Sequence, residues 1–319
     1  MPVFVANGDR DHLIRTRFSV LRALRNFEGT RLMSSYVDLP NLSVAGSNGV
    51  DYTYRDTAGS GRPLVLFQHF RGNLDNWDPP LIDALSSERR VVTFNNVGVA
   101  GTTGDTPNTI AAMAQGALAF IDALNLDRVD LLGFSIGSFV AQEIAFTRPD
   151  LVNRLVLASA APQGARGMHG WAKDVINAVG RPETNPDGYL EVFFTRSDAS
   201  RAAGVATLGR IFGPRKEPDA QTTWATRLAQ YDAVCAWGVP NHGLLERLAA
   251  IESAVFVANG DSDPMILPHY SYLLAGLIKN SQLKIYPDAA HGFLFQHHEE
   301  FAADVSAFLD STDERPQGD

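Results

Sequence analysis

The sequence predicts an α/β protein in which helices cover both faces of a mostly parallel central sheet. From about residue 50, short apolar runs alternate with longer segments of helical periodicity. The short runs are apolar throughout, which is typical of strands buried on both faces of a parallel sheet. Between about residues 162 and 250 this rhythm stops and helical patterns take over. We therefore expect a helical insertion between two strands of the sheet.

The predicted elements follow in chain order. Leu42–Arg55, with Asn48-Gly49 at its centre, predicts an antiparallel hairpin, because Asn-Gly favours a tight turn. Six further strands are predicted, at Pro63–Phe67, Arg90–Phe94, Val129–Leu132, Arg154–Ala158, Ala254–Ala258 and Leu283–Tyr286. Helices are predicted at Thr109–Leu124, at Ile136–Thr147 and at about Glu299–Leu309.

These elements predict a discontinuous core, residues 37–161 and 251–311, with the insertion at 162–250. An N-terminal extension, residues 1–36, and a tail, residues 312–319, flank this core. Val3–Asp9 repeats Val255–Asp261 letter for letter. We interpret the repeat as a partial duplication or a non-native start site. The alternative is that the extension adds an edge strand to the sheet.

Composition excludes several classes of protein. The 319 residues carry a net charge of −9 without any Lys/Arg block, which argues against nucleic acid or an anionic membrane surface as a partner. The single cysteine, Cys235, excludes an intramolecular disulfide framework and a multi-cysteine metal site. No apolar run reaches about 18 residues, and the N-terminus lacks a secretory pattern. We expect a soluble, cytoplasmic globular protein, whose oligomeric state the sequence leaves open.

The strongest chemical signal is Gly133–Gly137 (GFSIG), a G-x-S-x-G between a predicted strand and a predicted helix. In that context the motif forms a tight turn that lifts the serine hydroxyl out of the sheet. Glycine at both flanking positions avoids a clash of side chains. The helix N-terminus favours developing negative charge beside the hydroxyl. We predict Ser135 as a catalytic nucleophile.

A serine nucleophile needs a base, and the base needs an orienting acid, in the chain order serine, acid, histidine. Asp263 and Asp261 both follow the strand Ala254–Ala258, at the strand end where such sheets place function. We choose Asp263 as the acid and expect Asp261 to hold the turn. His291 follows the strand Leu283–Tyr286 and is the predicted general base.

The remaining polar groups near these strand ends receive other assignments. We predict an oxyanion hole from the backbone N–H groups of Ile136, directly after the nucleophile, and of Phe70, in the loop after the strand Pro63–Phe67. Asp288 is a weaker candidate for a partner behind the base. His297 and His298 are interpreted as solvated side chains, not as metal ligands.

Together these residues resemble the α/β-hydrolase superfamily over about residues 45–311. The segments Arg148–Leu157 and Gly260–Asp263 are also similar to the usual sequence of that family. The resemblance is greatest to small bacterial esterases, lactonases and cofactor-free perhydrolases. It implies that the helical insertion is a cap that shapes the substrate pocket. The aromatic side chains of this segment are expected mainly to form its own core, because aromatic residues at helical spacing are usually packed. One or two of them could instead line the pocket, and we select Trp171.

Two positions depart from the family's pattern. Gln68-His69 stands where the family usually has His-Gly, so the side chain of His69 either brings a second imidazole to the substrate pocket or fills space. We retain it as a candidate substrate-binding residue. Asn95–Gly98 (NNVG) replaces a common Asp-x-Arg-Gly loop, which removes a usual structural ion pair.

The leading functional hypothesis is a serine hydrolase that cleaves a carboxylic ester, thioester or lactone. A cofactor-free perhydrolase or haloperoxidase-type enzyme, in which hydrogen peroxide attacks the acyl-enzyme, is the first alternative. A non-catalytic ligand receptor on the same fold is the second. No nucleotide-binding or zinc-binding motif is present, so we expect no cofactor and no metal, with a small ester-type molecule as the partner.

Overall fold

A single eight-stranded sheet forms the centre of the computed structural model, which describes residues 35–182 and 186–311. The strands are β1 (Leu42–Ala45), β2 (Asp51–Asp56), β3 (Leu64–Phe67), β4 (Val91–Phe94), β5 (Val129–Phe134), β6 (Val152–Ala158), β7 (Ala254–Gly260) and β8 (Ser281–Tyr286). Their order in the sheet is β1-β2-β4-β3-β5-β6-β7-β8. β2 is antiparallel to β1 and β4, and every other pair is parallel. The predicted fold class, including the hairpin at its start, is confirmed.

Helices cover both faces of the sheet. They are α1 (Pro79–Ser86), α2 (Ile110–Ala123), α3 (Ile136–Thr147), α4 (Lys173–Val179), α5 (Pro186–Phe193), α6 (Asp198–Ile211), α7 (Trp224–Trp237), α8 (His269–Leu277), α9 (Phe293–Gln296) and α10 (His298–Asp310). The central strands are therefore buried along their whole length, which explains their unbroken apolar runs. Among the described residues, no helix is long and apolar enough to cross a membrane.

The segment between β6 and β7 contains α4 to α7 and a 3₁₀ helix at His242–Ala250. Its contacts with the rest of the chain include a ring stack and an ion pair. The indole of Trp237 stacks on Phe139 of α3, with ring centroids 5.3 Å apart, and donates to the carbonyl of Ala161. Arg210 of α6 forms a bidentate ion pair with Asp78, a fully buried carboxylate directly before α1. The role of this segment as a cap remains a prediction.

Residues 1–34 and 312–319 lie outside the described part of the chain, and with them the Val3–Asp9 copy of the repeat and the predicted tail. Of the predicted extension, only residues 35 and 36 are described. Tyr36 is buried, and its hydroxyl donates to the carbonyl of Leu74. The question of an extra edge strand falls on residues that the structure does not describe.

Candidate active site

Ser135 lies in the turn between β5 and α3 with φ 58° and ψ −123°, a left-handed conformation that a serine adopts only under strain. The flanking glycines make this turn possible. A Cβ on Gly133 would lie 2.5 Å from the carbonyl oxygen of Gly137, and a Cβ on Gly137 would lie 2.2 Å from the carbonyl oxygen of Phe67. The predicted turn geometry is therefore present, and α3 begins directly against the end of β3.

Asp263 and His291 form a buried pair. His291 Nδ1 lies 2.7 Å from Asp263 Oδ2, and both residues are about 1% exposed. The other carboxylate oxygen accepts the backbone N–H groups of Met265 and Ile266. Because a carboxylate only accepts, Nδ1 carries a proton, and in a neutral imidazole Nε2 then holds the lone pair. Nε2 is buried and has no hydrogen-bond partner within the described residues.

Ser135 and His291 are not hydrogen-bonded to each other. The ring of Phe134, the neighbour of Ser135, lies 5.1 Å from the imidazole of His291. In residues 35–182 and 186–311, no hydrogen bond joins the Ser135 hydroxyl to His291 Nε2. The structure thus joins acid to base directly and brings the residue before the serine against the base, with the serine–base bond unformed. Hydrogen bonds of this kind are often long in unliganded enzymes.

Asp261 and Asp288 have different partners. Asp261 accepts the backbone N–H groups of Asp288 and Ala289, so it ties the loop after β7 to the loop after β8. The carboxylate of Asp288 accepts the hydroxyls of Ser197 and Thr195, and these hydrogen bonds lower the pKa of the Asp288 carboxyl. Neither carboxylate contacts the imidazole of His291.

The two predicted oxyanion donors lie on adjacent elements. Ile136 is the first residue of α3, where a backbone N–H has no partner within its own helix. Phe70 follows β3, whose last carbonyl lies against Gly137. Neither N–H donates a hydrogen bond to any described residue. Both donors are therefore available to an oxygen that carries negative charge.

His69 is buried in a cluster of rings beside these donors. Its imidazole lies 5.3 Å from the ring of Phe134 and 5.2 Å from that of Phe193, and both of these rings also contact His291. Burial lowers the pKa of His69 to about 3, and the nearby His291 contributes in the same direction. The neutral ring donates from Nδ1 to the carbonyl of Phe70. Nε2 is an acceptor without a partner in the described part of the chain.

Trp171 packs against the side chain of Phe70, with ring centroids 5.0 Å apart, and against Tyr231 at 5.3 Å. Its indole N–H is buried and unpartnered among the described residues. The structure thus brings Trp171 next to the predicted oxyanion residue and His69 next to the predicted base. The role of these two side chains in binding a substrate stays a prediction.

The site is closed in this conformation. Ser135 and His291 are 2% and 1% exposed, and the backbone N–H groups of His291 and Gly292 donate to the carbonyls of Val192 and Phe193 at the end of α5. A cavity of ≈ 40 Å³ beside Ile136 and His69 could hold a few water molecules but not an ester of ordinary size.

Sequence reasoning noted Asn95 but missed its partner. Asn95 stands where the family usually has an aspartate, and it donates to Asp219 Oδ2 at 2.8 Å. Asp219 comes from the inserted segment, and burial raises the pKa of its carboxyl. No local sequence pattern predicts that Asp219 is the partner of Asn95, because the two residues are 124 positions apart in the chain. Within residues 35–182 and 186–311, no group of three or more His, Cys, Asp or Glu side chains could hold a metal ion.

A strained serine at a strand-to-helix turn, beside a buried Asp–His pair at neighbouring strand ends, is typical of hydrolases that attack with serine. Sequence comparison agrees, because the sequence model of the family with the alpha/beta hydrolase fold matches residues 62–298. The chain belongs to the α/β-hydrolase fold family, as the resemblance implied.

Three relatives illustrate the similarity. An alpha/beta hydrolase fold protein from Chitinophaga pinensis superposes with a TM-score of 0.82 at 36% identity, over 88% of this chain and 100% of that one. A putative carbamate hydrolase, RutD, from Rhizobium rhizogenes is 36% identical over 101 residues, which are 31% of this chain and only 38% of the relative. A poly(3-hydroxyalkanoate) depolymerase from Ectopseudomonas oleovorans is 28% identical over 79% of this chain and 86% of its own length.

Proposed function

We propose that this protein is a serine hydrolase that cleaves a carboxylic ester, thioester or lactone through an acyl-enzyme on Ser135. The observation that carries the proposal is the buried Asp263–His291 pair, whose Nε2 has no partner among the described residues, together with the strained serine directly before α3. The relatives named above include a depolymerase and a putative carbamate hydrolase, which supports hydrolysis of an acyl compound.

In the proposed mechanism, His291 Nε2 accepts the proton of Ser135 as the serine oxygen attacks the substrate carbonyl. Asp263 holds the imidazole in the required tautomer and stabilises the imidazolium. The N–H groups of Phe70 and Ile136 bind the oxyanion. The imidazolium then protonates the leaving alcohol or thiol, and water activated by the same histidine releases the acid.

Covalent labelling with a fluorophosphonate, located by peptide mapping, tests the nucleophile. We expect the label on Ser135, and Ser135→Ala should lower turnover of an aryl ester at least about a thousandfold. Ser87→Ala is the matched control, because Ser87 is exposed at the end of α1 and lies outside the site. Near-normal turnover by Ser135→Ala would refute the proposal.

The same assay separates the alternatives. A series of p-nitrophenyl esters of rising acyl length, measured with and without hydrogen peroxide, distinguishes hydrolysis from perhydrolysis by the peracid formed. Tight binding of these esters without turnover, in protein whose Ser135 does not react with the fluorophosphonate, would favour a receptor instead.

A further inference from the structure

Two arginine side chains, Arg71 and Arg227, are buried in the inserted segment and the loop that it covers. Arg71 is 4% exposed and Arg227 is 8% exposed. In residues 35–182 and 186–311, neither guanidinium lies within 4 Å of a carboxylate oxygen. Arginine stays charged in proteins. The charge of Arg71 is therefore buried with no carboxylate beside it among the described residues, whereas the guanidinium of Arg227 lies against two aromatic rings and only its Nε is buried without a partner. Burial of an unpaired charge is unfavourable, which calls for an explanation.

Arg71 follows the predicted oxyanion residue Phe70 and has a left-handed φ of 63°. Its two terminal nitrogens donate only to backbone carbonyls, those of Val179, Arg181 and Pro182. Its Nε has no partner among the described residues. The carbonyls hold the guanidinium in place but supply no negative charge.

Arg227, on α7, approaches Arg71. Its guanidinium lies 4.8 Å from the ring centroids of both Trp224 and Tyr231, and it makes no hydrogen bond within the described ranges. Gln230, one turn later, accepts the backbone N–H of Arg71, which brings α7 and the oxyanion loop together. Burial lowers the pKa of the Arg71 guanidinium, and the positive charge of Arg227 adds to the effect.

Trp171 supplies a third unpartnered donor, on a ring that packs against the ring contacted by Arg227. Its indole packs on the ring of Tyr231, the ring that Arg227 also contacts. Its N–H is buried without a partner in the part of the chain that the structure describes. We call Arg71, Trp171 and Arg227 the donor cluster. All three offer N–H groups, and Trp171 packs directly on Phe70.

We infer that the donor cluster binds a carboxylate carried by the substrate, so that the protein prefers esters or lactones with a free acid group. A carboxylate would neutralise the buried charge and accept the unused N–H groups, as guanidinium–carboxylate pairs do. Most donors of Arg71 are already bonded, so the free ones suit a two-oxygen anion better than a phosphate. This inference rests on the proposed function, because Phe70 places the cluster beside the acyl site.

A matched pair of substrates tests the inference: mono-4-nitrophenyl glutarate, which carries a free carboxylate, and 4-nitrophenyl pentanoate, which does not. We expect wild-type kcat/KM to be at least about tenfold higher for the glutarate. Arg227→Met keeps most of the side-chain volume and removes the charge. It should remove this preference by raising KM for the glutarate, while kcat/KM for the pentanoate changes less than about twofold.

Arg128→Met is the control, because Arg128 is exposed before β5, at the end of that strand opposite Ser135. It should leave both substrates unaffected. Wild-type protein that hydrolyses the pentanoate without preferring the glutarate would overturn the inference and leave the proposed function standing. Equal losses on both substrates in Arg227→Met would show a purely structural role and would overturn it too.

A second measurement needs no turnover. Millimolar glutarate should raise the Tm of the wild type and of Ser135→Ala, but not of Arg227→Met. Absence of a shift in the wild type, or an equal shift in Arg227→Met, would overturn the inference even if the protein hydrolysed no ester. A larger shift with inorganic phosphate than with glutarate would contradict the assignment of a carboxylate.

Discussion

Replacing His69 with glutamine should make folding stability less sensitive to acid. The folded pKa of His69 is about 3, whereas the value for an unperturbed histidine is 6.5. Above pH 6.5 the ring is neutral in both states and stability does not depend on its titration. As the pH falls below 6.5, the unfolded chain binds a proton at this ring and the folded protein does not, so the folded state loses stability.

The size of the effect follows from that gap. At pH 5, 1.5 pH units below the unfolded value, the loss is about 2 kcal/mol, since each unit corresponds to about 1.36 kcal/mol. Glutamine does not titrate. Between pH 7 and pH 5, the free energy of unfolding should therefore fall by about 2 kcal/mol more in the wild type than in His69→Gln.

Urea denaturation at the two pH values, followed by tryptophan fluorescence, measures the difference. His242→Gln is the matched control, because His242 is exposed and its removal takes no imidazole out of the core. It should behave as the wild type does. If His69→Gln loses as much stability as the wild type between pH 7 and pH 5, then His69 is protonated in the folded protein and the reasoning fails.

Three further predictions concern the loops and the inserted segment. Asp263→Asn should lower kcat about 10⁴-fold, because the imidazole takes the wrong tautomer. Asp261→Asn should lower kcat less than about tenfold. Similar losses of kcat for the two variants in steady-state assays would contradict the choice of Asp263 as the acid. Gly137→Ala should lower the free energy of unfolding by about 1–3 kcal/mol, because its Cβ would meet a backbone oxygen at 2.2 Å; an unchanged Tm would refute this. Arg210→Met should lower the free energy of unfolding, measured with urea, by about 3–5 kcal/mol, because it leaves the fully buried Asp78 unpaired. A change below about 1 kcal/mol would contradict this prediction and show that water or another group stabilises the carboxylate of Asp78.

The sequence predicted features that depend on neighbouring residues. Apolar runs and helical periodicity located the central strands and α2, α3 and α10, although several ends shifted by one or two residues. The turn at Ser135 was predictable because strand, motif and helix are contiguous. Asp263 and His291 were predictable because loops at the carboxyl ends of neighbouring parallel strands must lie close together.

Features that depend on distant packing were not predictable in the same way. The helices α1 and α8 were not assigned, and no pattern indicated that Asn95 would pair with Asp219. The environment of His69 depends on rings from α5, more than 100 residues later in the chain. Sequence analysis could name this residue but could not say whether its imidazole would be charged, solvated or buried.

The backbone conformation of Ser135 has a consequence for directed evolution. A φ of 58° at a serine stores about 1–3 kcal/mol, and glycine at that position would release it. A library screened only for resistance to heat would therefore enrich variants that have discarded their own nucleophile. Selection for thermal stability in this protein therefore needs an activity assay in every round, because at Ser135 the substitution that raises stability removes the proposed nucleophile.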